Sequence, residues 1–179
     1  MNLGKRVMIL GSSGSGKSTL AKRIGELSGL PVVHIDRFIW NPGWVATPDE
    51  EVRERIIKAA DDPMWIIDGN NGKTRNYRLE RADTVIFLDF NRYVCLYRVV
   101  KRLFENHGRT RYDLGEGCPD RLSFELLVFI LKTYPRARGS IIEWLSRINS
   151  PKQVHHLKGN RAVKWFLTQV TQSYSQSIM

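Results

Sequence analysis

Residues Gly11 to Ser18 read GSSGSGKS: a glycine, four residues, then Gly-Lys-Ser, set between the apolar run RVMIL and a helical segment beginning near Lys17. A strand that delivers the chain into a glycine-rich curl and straight on into a helix leaves few folds open. Glycines at 11, 14 and 16 let the backbone turn its N–H groups inward, where they and the helix N-terminus can hold phosphate oxygens. Ser12 and Ser15 belong to the same curl. Lys17 is placed to reach the β- and γ-phosphates of a nucleotide, the Ser18 hydroxyl to ligate magnesium, and Thr19 to assist at the α-phosphate. The alternative is a Gly/Ser-rich turn that merely links a strand to a helix, but spacing and flanking context agree on the phosphate cradle. Such a cradle does not name a reaction, because kinases, switches, motors and transporters share it.

Further apolar runs short enough to be strands follow as VVHI, MWIID, TVIFLD and QVHHL, separated by segments of helical periodicity. This alternation predicts a parallel sheet covered by helices. The expected helices are Lys17 to Ser28, Pro48 to Ala60, Arg92 to Asn106, Leu122 to Lys132, Pro135 to Arg147 and Arg161 to Thr171. Pro48 suits a first helical turn with Thr47 as its cap. The Gly- and charge-rich stretch from 107 to 122 reads as a lid inserted in a single domain spanning 1–179.

Within 179 residues, 28 Lys and Arg outnumber 18 Asp and Glu, and the net charge of +10 favours anionic partners such as nucleotides or nucleic acid. Cys95 and Cys118 lack metal-type spacing, which points to a reduced, cytoplasmic setting. The longest apolar-rich run, LSFELLVFIL, is too short for a membrane span and contains Glu125.

Asp36 follows VVHI and Asp68 follows MWII, so both are expected at the carboxyl ends of parallel strands, where open α/β sheets bind ligands. Asp68 suits the magnesium shell. Asp36 opens HIDRFIWNPGW and suits the orientation or deprotonation of an acceptor hydroxyl, or else a structural ion pair. Arg37, Trp40 and Trp44 of that loop are candidates for binding the acceptor, although large aromatics also fill cores. Gly69, Asn70 and Arg78 are placed on the same acceptor side. Asp89 and the pair His155 and His156 read as structural, and His34 is set on the strand face opposite Asp36. On RYVCLYRVVKRLF, Arg98 and Arg102 share a helical face, and Arg109 and Arg111 in HGRTRYD are the natural lid arginines. All four can stabilise the charge of a phosphoryl group in transfer, or else form a solvated basic face.

With these motifs assembled, the sequence resembles the small kinases of the nucleoside-monophosphate kinase type that carry this P-loop. More narrowly it is similar to the bacterial DNA topology modulation (FlaR-like) family, on GSSGSGKSTLA, HIDRFIWNPGW, WIIDGN, RLERADTVIFLD, CLYRVVKR, GRTRYDLGEGCPDRL and HHLKGNRAVKWFL. The resemblance implies a five-stranded parallel sheet in the order 2-3-1-4-5, a helical lid after the Arg98/Arg102 helix, ATP and magnesium as cofactors, and phosphate contacts from Arg98, Arg102, Arg109 and Arg111. Asn71 and Asn91 stand where the family commonly has Tyr and Pro. The reading is an ATP- and magnesium-dependent phosphotransferase with an unidentified small-molecule or nucleotide acceptor. The alternative is an ATP-binding, DNA-associated regulator of topology, although no nucleic-acid-binding motif accompanies the charge.

Overall fold

The computed structural model describes residues 1–105, 112–119, 123–148 and 151–176. Strand β1 (Arg6–Gly11) runs into helix α1 (Lys17–Ser28), followed by β2 (Val32–His34), a short α2 (Asp36–Ile39), and a hairpin of β3 (Trp40–Asn41) and β4 (Val45–Ala46). Helix α3 (Asp49–Asp61), β5 (Trp65–Asp68), α4 (Arg75–Arg81), β6 (Thr84–Asp89) and α5 (Arg92–Glu105) come next. The chain closes with α6 (Phe124–Val128), a π-helical turn (Phe129–Thr133), α7 (Tyr134–Ser146), β7 (Gln153–Lys158) and α8 (Gly159–Gln176).

Five parallel strands pair in the order β2-β5-β1-β6-β7. With the small hairpin set aside, this is the 2-3-1-4-5 order that the resemblance implied. The central strands β5 and β6 are buried at every position, which is why they read as continuous apolar runs rather than as alternating ones. Alternation along β1 divides the core between the sheet faces. Val7 and Ile9 join Leu20, Ile24 and Phe166 on one side, and Met8 and Leu10 join Ile56 and Ile35 on the other.

Several boundaries depart from the sequence reading. Strand β2 stops at His34 because Ile35 already has helical dihedrals and opens α2, an element the sequence did not signal. Thr47 does not cap α3: its hydroxyl is buried without a hydrogen-bond partner, and the carbonyl of Pro48 accepts the first helical bond, from Val52 N–H at 3.0 Å. The two helices expected around 122–147 instead form one run through the π-helical turn. Pro135 has no N–H to offer Leu131, and the Leu131 carbonyl accepts from Arg92 Nη1 at 3.1 Å instead. Asn91 caps α5, accepting from Tyr93 N–H at 2.9 Å, and Asn71 accepts from Thr74 N–H at 3.0 Å at the entrance to α4. The two asparagines that depart from the family pattern therefore organise helix starts. Of the expected lid, 107–111 and 120–122 lie outside the described residues. Among the described residues, no helix is long and apolar enough to cross a membrane.

Candidate active site

The cradle joins the carboxyl end of β1 to the N-terminus of α1. Gly14 has a φ of 77°, and a Cβ built there would meet the Cys95 carbonyl oxygen at 2.4 Å, so α5 packs where only glycine fits. Gly16 caps α1 at a φ of 94°, and a side chain there would meet open space. Ser15 N–H donates to the Ser12 carbonyl at 3.1 Å, and Lys17 Nζ reaches the same carbonyl at 3.0 Å. Lys17 thereby lies back along the loop it is expected to serve.

A cleft of about 1040 Å³ opens over this curl, and Gly14 to Thr19 line it. A nucleotide with a small second substrate fits that size. Gly11 and Ser12 do not line it. Gly11 ends β1 and exchanges two hydrogen bonds with the Asn70 amide, at 3.3 and 2.8 Å, and Ser12 is wholly buried. They support the cradle from below, while Ser13, unnoticed in the sequence, lines the cleft.

Arg98 and Arg102 both face the cleft, as their four-residue spacing requires. Arg98 donates to the carbonyls of Gly14 and Ser15 at 3.4 and 3.2 Å and to Asn160 Oδ1 at 2.5 Å, and its guanidinium lies 4.4 Å from the Phe90 ring centre. It braces the outer side of the cradle against the N-terminus of α8. Phe90, Asn160 and Val163 line this end of the cleft and were missed in the sequence. The signal available was their position just beyond the carboxyl ends of β6 and β7. Arg109 and Arg111 lie outside the described residues.

The opposite end of the cleft receives Asp36, from the first turn of α2, together with Trp40 and Trp44, whose rings meet edge to face at 5.5 Å. Other expected residues do different work. Arg37 turns away to donate to the Leu114 carbonyl at 3.4 Å. Asn70 is held by Gly11. Arg78 is fully buried, and its guanidinium donates to the carbonyls of Gly69 and Asn71 at 3.1 Å each. It buttresses the turn after β5 instead of meeting a substrate. Burial, reinforced by neighbouring Arg75 and opposed by Asp68, lowers its pKa to about 10, so it stays charged at neutral pH. Gly69 makes that turn beside Ile35, whose Cβ would lie 2.8 Å from a Cβ at 69.

Asp68 closes β5 beneath the cleft. It is buried, and its Oδ1 lies 2.7 Å from His34 Nδ1 on the adjacent strand. The sequence reading set His34 opposite Asp36, whereas alternation would put residues two apart on one face; the strand ends at His34, so alternation does not extend to Asp36 at all. Asp89 is structural, as read: Arg138 grips it at 2.6 and 2.7 Å, and His156 Nε2 lies 2.7 Å away. Among the described residues, no three His, Cys, Asp or Glu side chains gather as a metal cage. Ser18 lines the cleft and Asp68 does not; magnesium carried on nucleotide phosphates keeps much of its water and takes few protein ligands, so Ser18 alone suits it as a direct ligand.

No family model matches the chain, and no curated protein matches it. The narrower FlaR-like resemblance thus rests on its motifs alone. Solved structures do match. A protein described as a gluconokinase, from Sinorhizobium meliloti 1021, superposes with a TM-score of 0.54 at 14% identity, covering 98% of this chain and 94% of its own. A sugar kinase from Janibacter sp. HTCC2649 gives 0.50 at 16% identity, over 95% and 91%. A protein from Chloroflexus aurantiacus J-10-fl gives 0.55 at 14%, over 96% and 98%. The chain has the fold of P-loop kinases. At these identities the likeness concerns the fold.

Proposed function

We propose that the chain, as a single P-loop kinase-like domain, transfers the γ-phosphoryl group of ATP to a small hydroxyl-bearing molecule or nucleotide, with magnesium. The observation that carries the reading is one cleft lined at its middle by the phosphate cradle and at one end by Asp36. Lys17 neutralises charge on the β- and γ-phosphates, and Ser18, backed by Asp68, is the magnesium ligand. Magnesium, when bound, offsets negative charge on the transferred group. The acceptor oxygen forms a bond to the γ-phosphorus as the bond to the β–γ bridging oxygen breaks. ADP leaves, and the acceptor proton passes to Asp36. Arg98 and Arg102 frame the nucleotide end, and Trp40 and Trp44 exclude water around the acceptor.

The test is transfer from γ-labelled ATP by the purified protein to a panel of nucleosides, nucleotides, sugars and other small alcohols. The control is Lys17→Ala, for which a loss of about 10²–10³-fold is expected from removing one phosphate-stabilising donor. Transfer by Lys17→Ala at the parental rate would overturn the assignment. Duplex binding that needs no nucleotide and weakens with salt would favour the DNA-associated alternative.

A further inference from the structure

The loop that follows α2 and the stretch 112–119 are about 75 residues apart in sequence, yet they are laced together. Gly43 N–H donates to the Gly117 carbonyl at 2.9 Å, and Trp44 Nε1 to the Pro119 carbonyl at 3.1 Å. Arg37 Nε donates to the Leu114 carbonyl at 3.4 Å, and the Cys118 thiol to the Asn41 carbonyl at 3.2 Å. The packing is as close as the bonding. A Cβ at Gly115 would meet the Trp40 carbonyl oxygen at 2.5 Å, and one at Gly117 would meet Pro42 Cβ at 3.0 Å. Asp113, Leu114 and Cys118 are buried, although they belong to no helix or main-sheet strand. Trp44 holds a φ of 64°, the only positive value at a non-glycine residue among those described. A bulky residue keeps such a backbone only where its surroundings fix it, and here its own indole N–H is tied to 119.

We propose that residues 112–119 are the second wall of the acceptor chamber, and that Trp44 is the positioning residue that joins this wall to the first. The inference rests on reading the Asp36 end of the cleft as the acceptor site. Tyr112, Asp113 and Leu114 line the same cleft as Asp36, Trp40 and Trp44. The acceptor is therefore selected between two walls that move as one body. Tyr112 extends the second wall back to the sheet, with its ring edge-on to His34 at 5.6 Å and under Lys22 Nζ at 5.1 Å. Two laced walls that keep their shape limit the water that reaches the γ-phosphate beside the acceptor hydroxyl.

The test is Gly115→Ala in the full chain. The added methyl collides with the Trp40 carbonyl and with nothing in the cradle. Hydrogen exchange followed by mass spectrometry is expected to speed up together in 40–46 and 112–119, while 12–19 keeps its parental rates. Trp44→Phe keeps an aromatic ring but loses the donor to Pro119, and should produce the same paired change to a smaller extent. Faster exchange in 112–119 alone, with 40–46 unaltered, would overturn the proposal. A second readout separates a functional wall from a merely structural one. With ATP and magnesium but no acceptor, Gly115→Ala should hydrolyse ATP several-fold faster than the parent, as water enters the loosened chamber. Unchanged hydrolysis beside raised exchange would reduce the lacing to packing. A parent protein that does not bind ATP at all would defeat the kinase reading, while paired exchange would still decide whether the two segments form one body.

Discussion

His34 Nδ1 and Asp68 Oδ1 lie 2.7 Å apart at the paired carboxyl ends of β2 and β5, with side chains only 8% and 3% exposed. An ionised carboxylate can only accept, so the proton of this bond sits on Nδ1. The bond fixes the carboxylate proposed to serve magnesium. His34→Leu leaves Asp68 buried without this donor and should cost about 1–3 kcal/mol of stability. His34→Asn sets an amide N–H close to the lost Nδ1–H and should recover most of that loss. Denaturant unfolding of the two variants beside the parent measures the difference. Equal destabilisation by both would show that the hydrogen bond contributes nothing and that only ring packing does.

The sheet was legible because its central strands are buried on both faces, and MWIID and TVIFLD therefore read as unbroken apolar runs. The cradle was legible because its chemistry is local, with glycines, a lysine and a serine at fixed spacing. What escaped depends on contacts between distant segments. Nothing near Arg78 in sequence reveals that the carbonyls of Gly69 and Asn71 will turn toward it, and an arginine in a short helix looks like any solvated one. Asn70 reads as a ligand-facing residue after a strand until Gly11 is seen to hold both ends of its amide. The stretch 112–119 read only as part of a lid, because nothing in its sequence announces the bonds it makes to 37–44.

Arg78 gives a direct test of that distinction. Arg78→Met keeps much of the stem but strips the buried Gly69 carbonyl and the half-buried Asn71 carbonyl of their donors, a loss of about 2 kcal/mol. In a chain of this size the melting temperature should fall by about 2–4 °C for each kcal/mol. The turn at 69–71 carries Asn70, which holds the base of the cradle, so ATP should bind more weakly as well. The order of preference among acceptors should not change. A variant of parental stability with altered acceptor preference would instead return Arg78 to the substrate side.

Asp89 links the sheet to α7 and β7 and makes stability depend on pH. Burial alone would raise its pKa, but the hydrogen bonds from Arg138 and His156 and their charges outweigh that, and the net shift is downward. A carboxyl whose pKa is lower folded than unfolded contributes stability in full above its unfolded value of about 3.9. That contribution disappears as pH falls through the lower folded value. The free energy of unfolding should therefore drop as pH falls from about 5 through and below the unfolded carboxyl value in the parent. In Asp89→Asn the decline should be shallower, because one titrating group has been removed. Identical slopes would mean that the pairing with Arg138 does not shift the carboxyl.

Gly14 and Gly16 both have positive φ in the cradle, but their surroundings differ, and paired alanine substitutions separate strain from collision. At Gly16 a methyl meets open space, so Gly16→Ala costs only the left-handed backbone, about 1–2 kcal/mol. At Gly14 the same strain is joined by contact at 2.4 Å with the Cys95 carbonyl, a backbone atom of α5 that cannot step aside without moving the helix. Gly14→Ala should therefore be the less stable of the two. It should also disturb Arg98, which hangs from the carbonyls of Gly14 and Ser15, and so weaken ATP binding beyond what the stability loss accounts for. Thermal unfolding with and without ATP tests both expectations. The ATP-induced rise in melting temperature should be smaller in Gly14→Ala than in the parent, because stabilisation by a ligand tracks its affinity for the folded state. If Gly16→Ala proved equally unstable, the cost would lie in backbone strain alone, and the close approach of α5 would not be what requires glycine at 14.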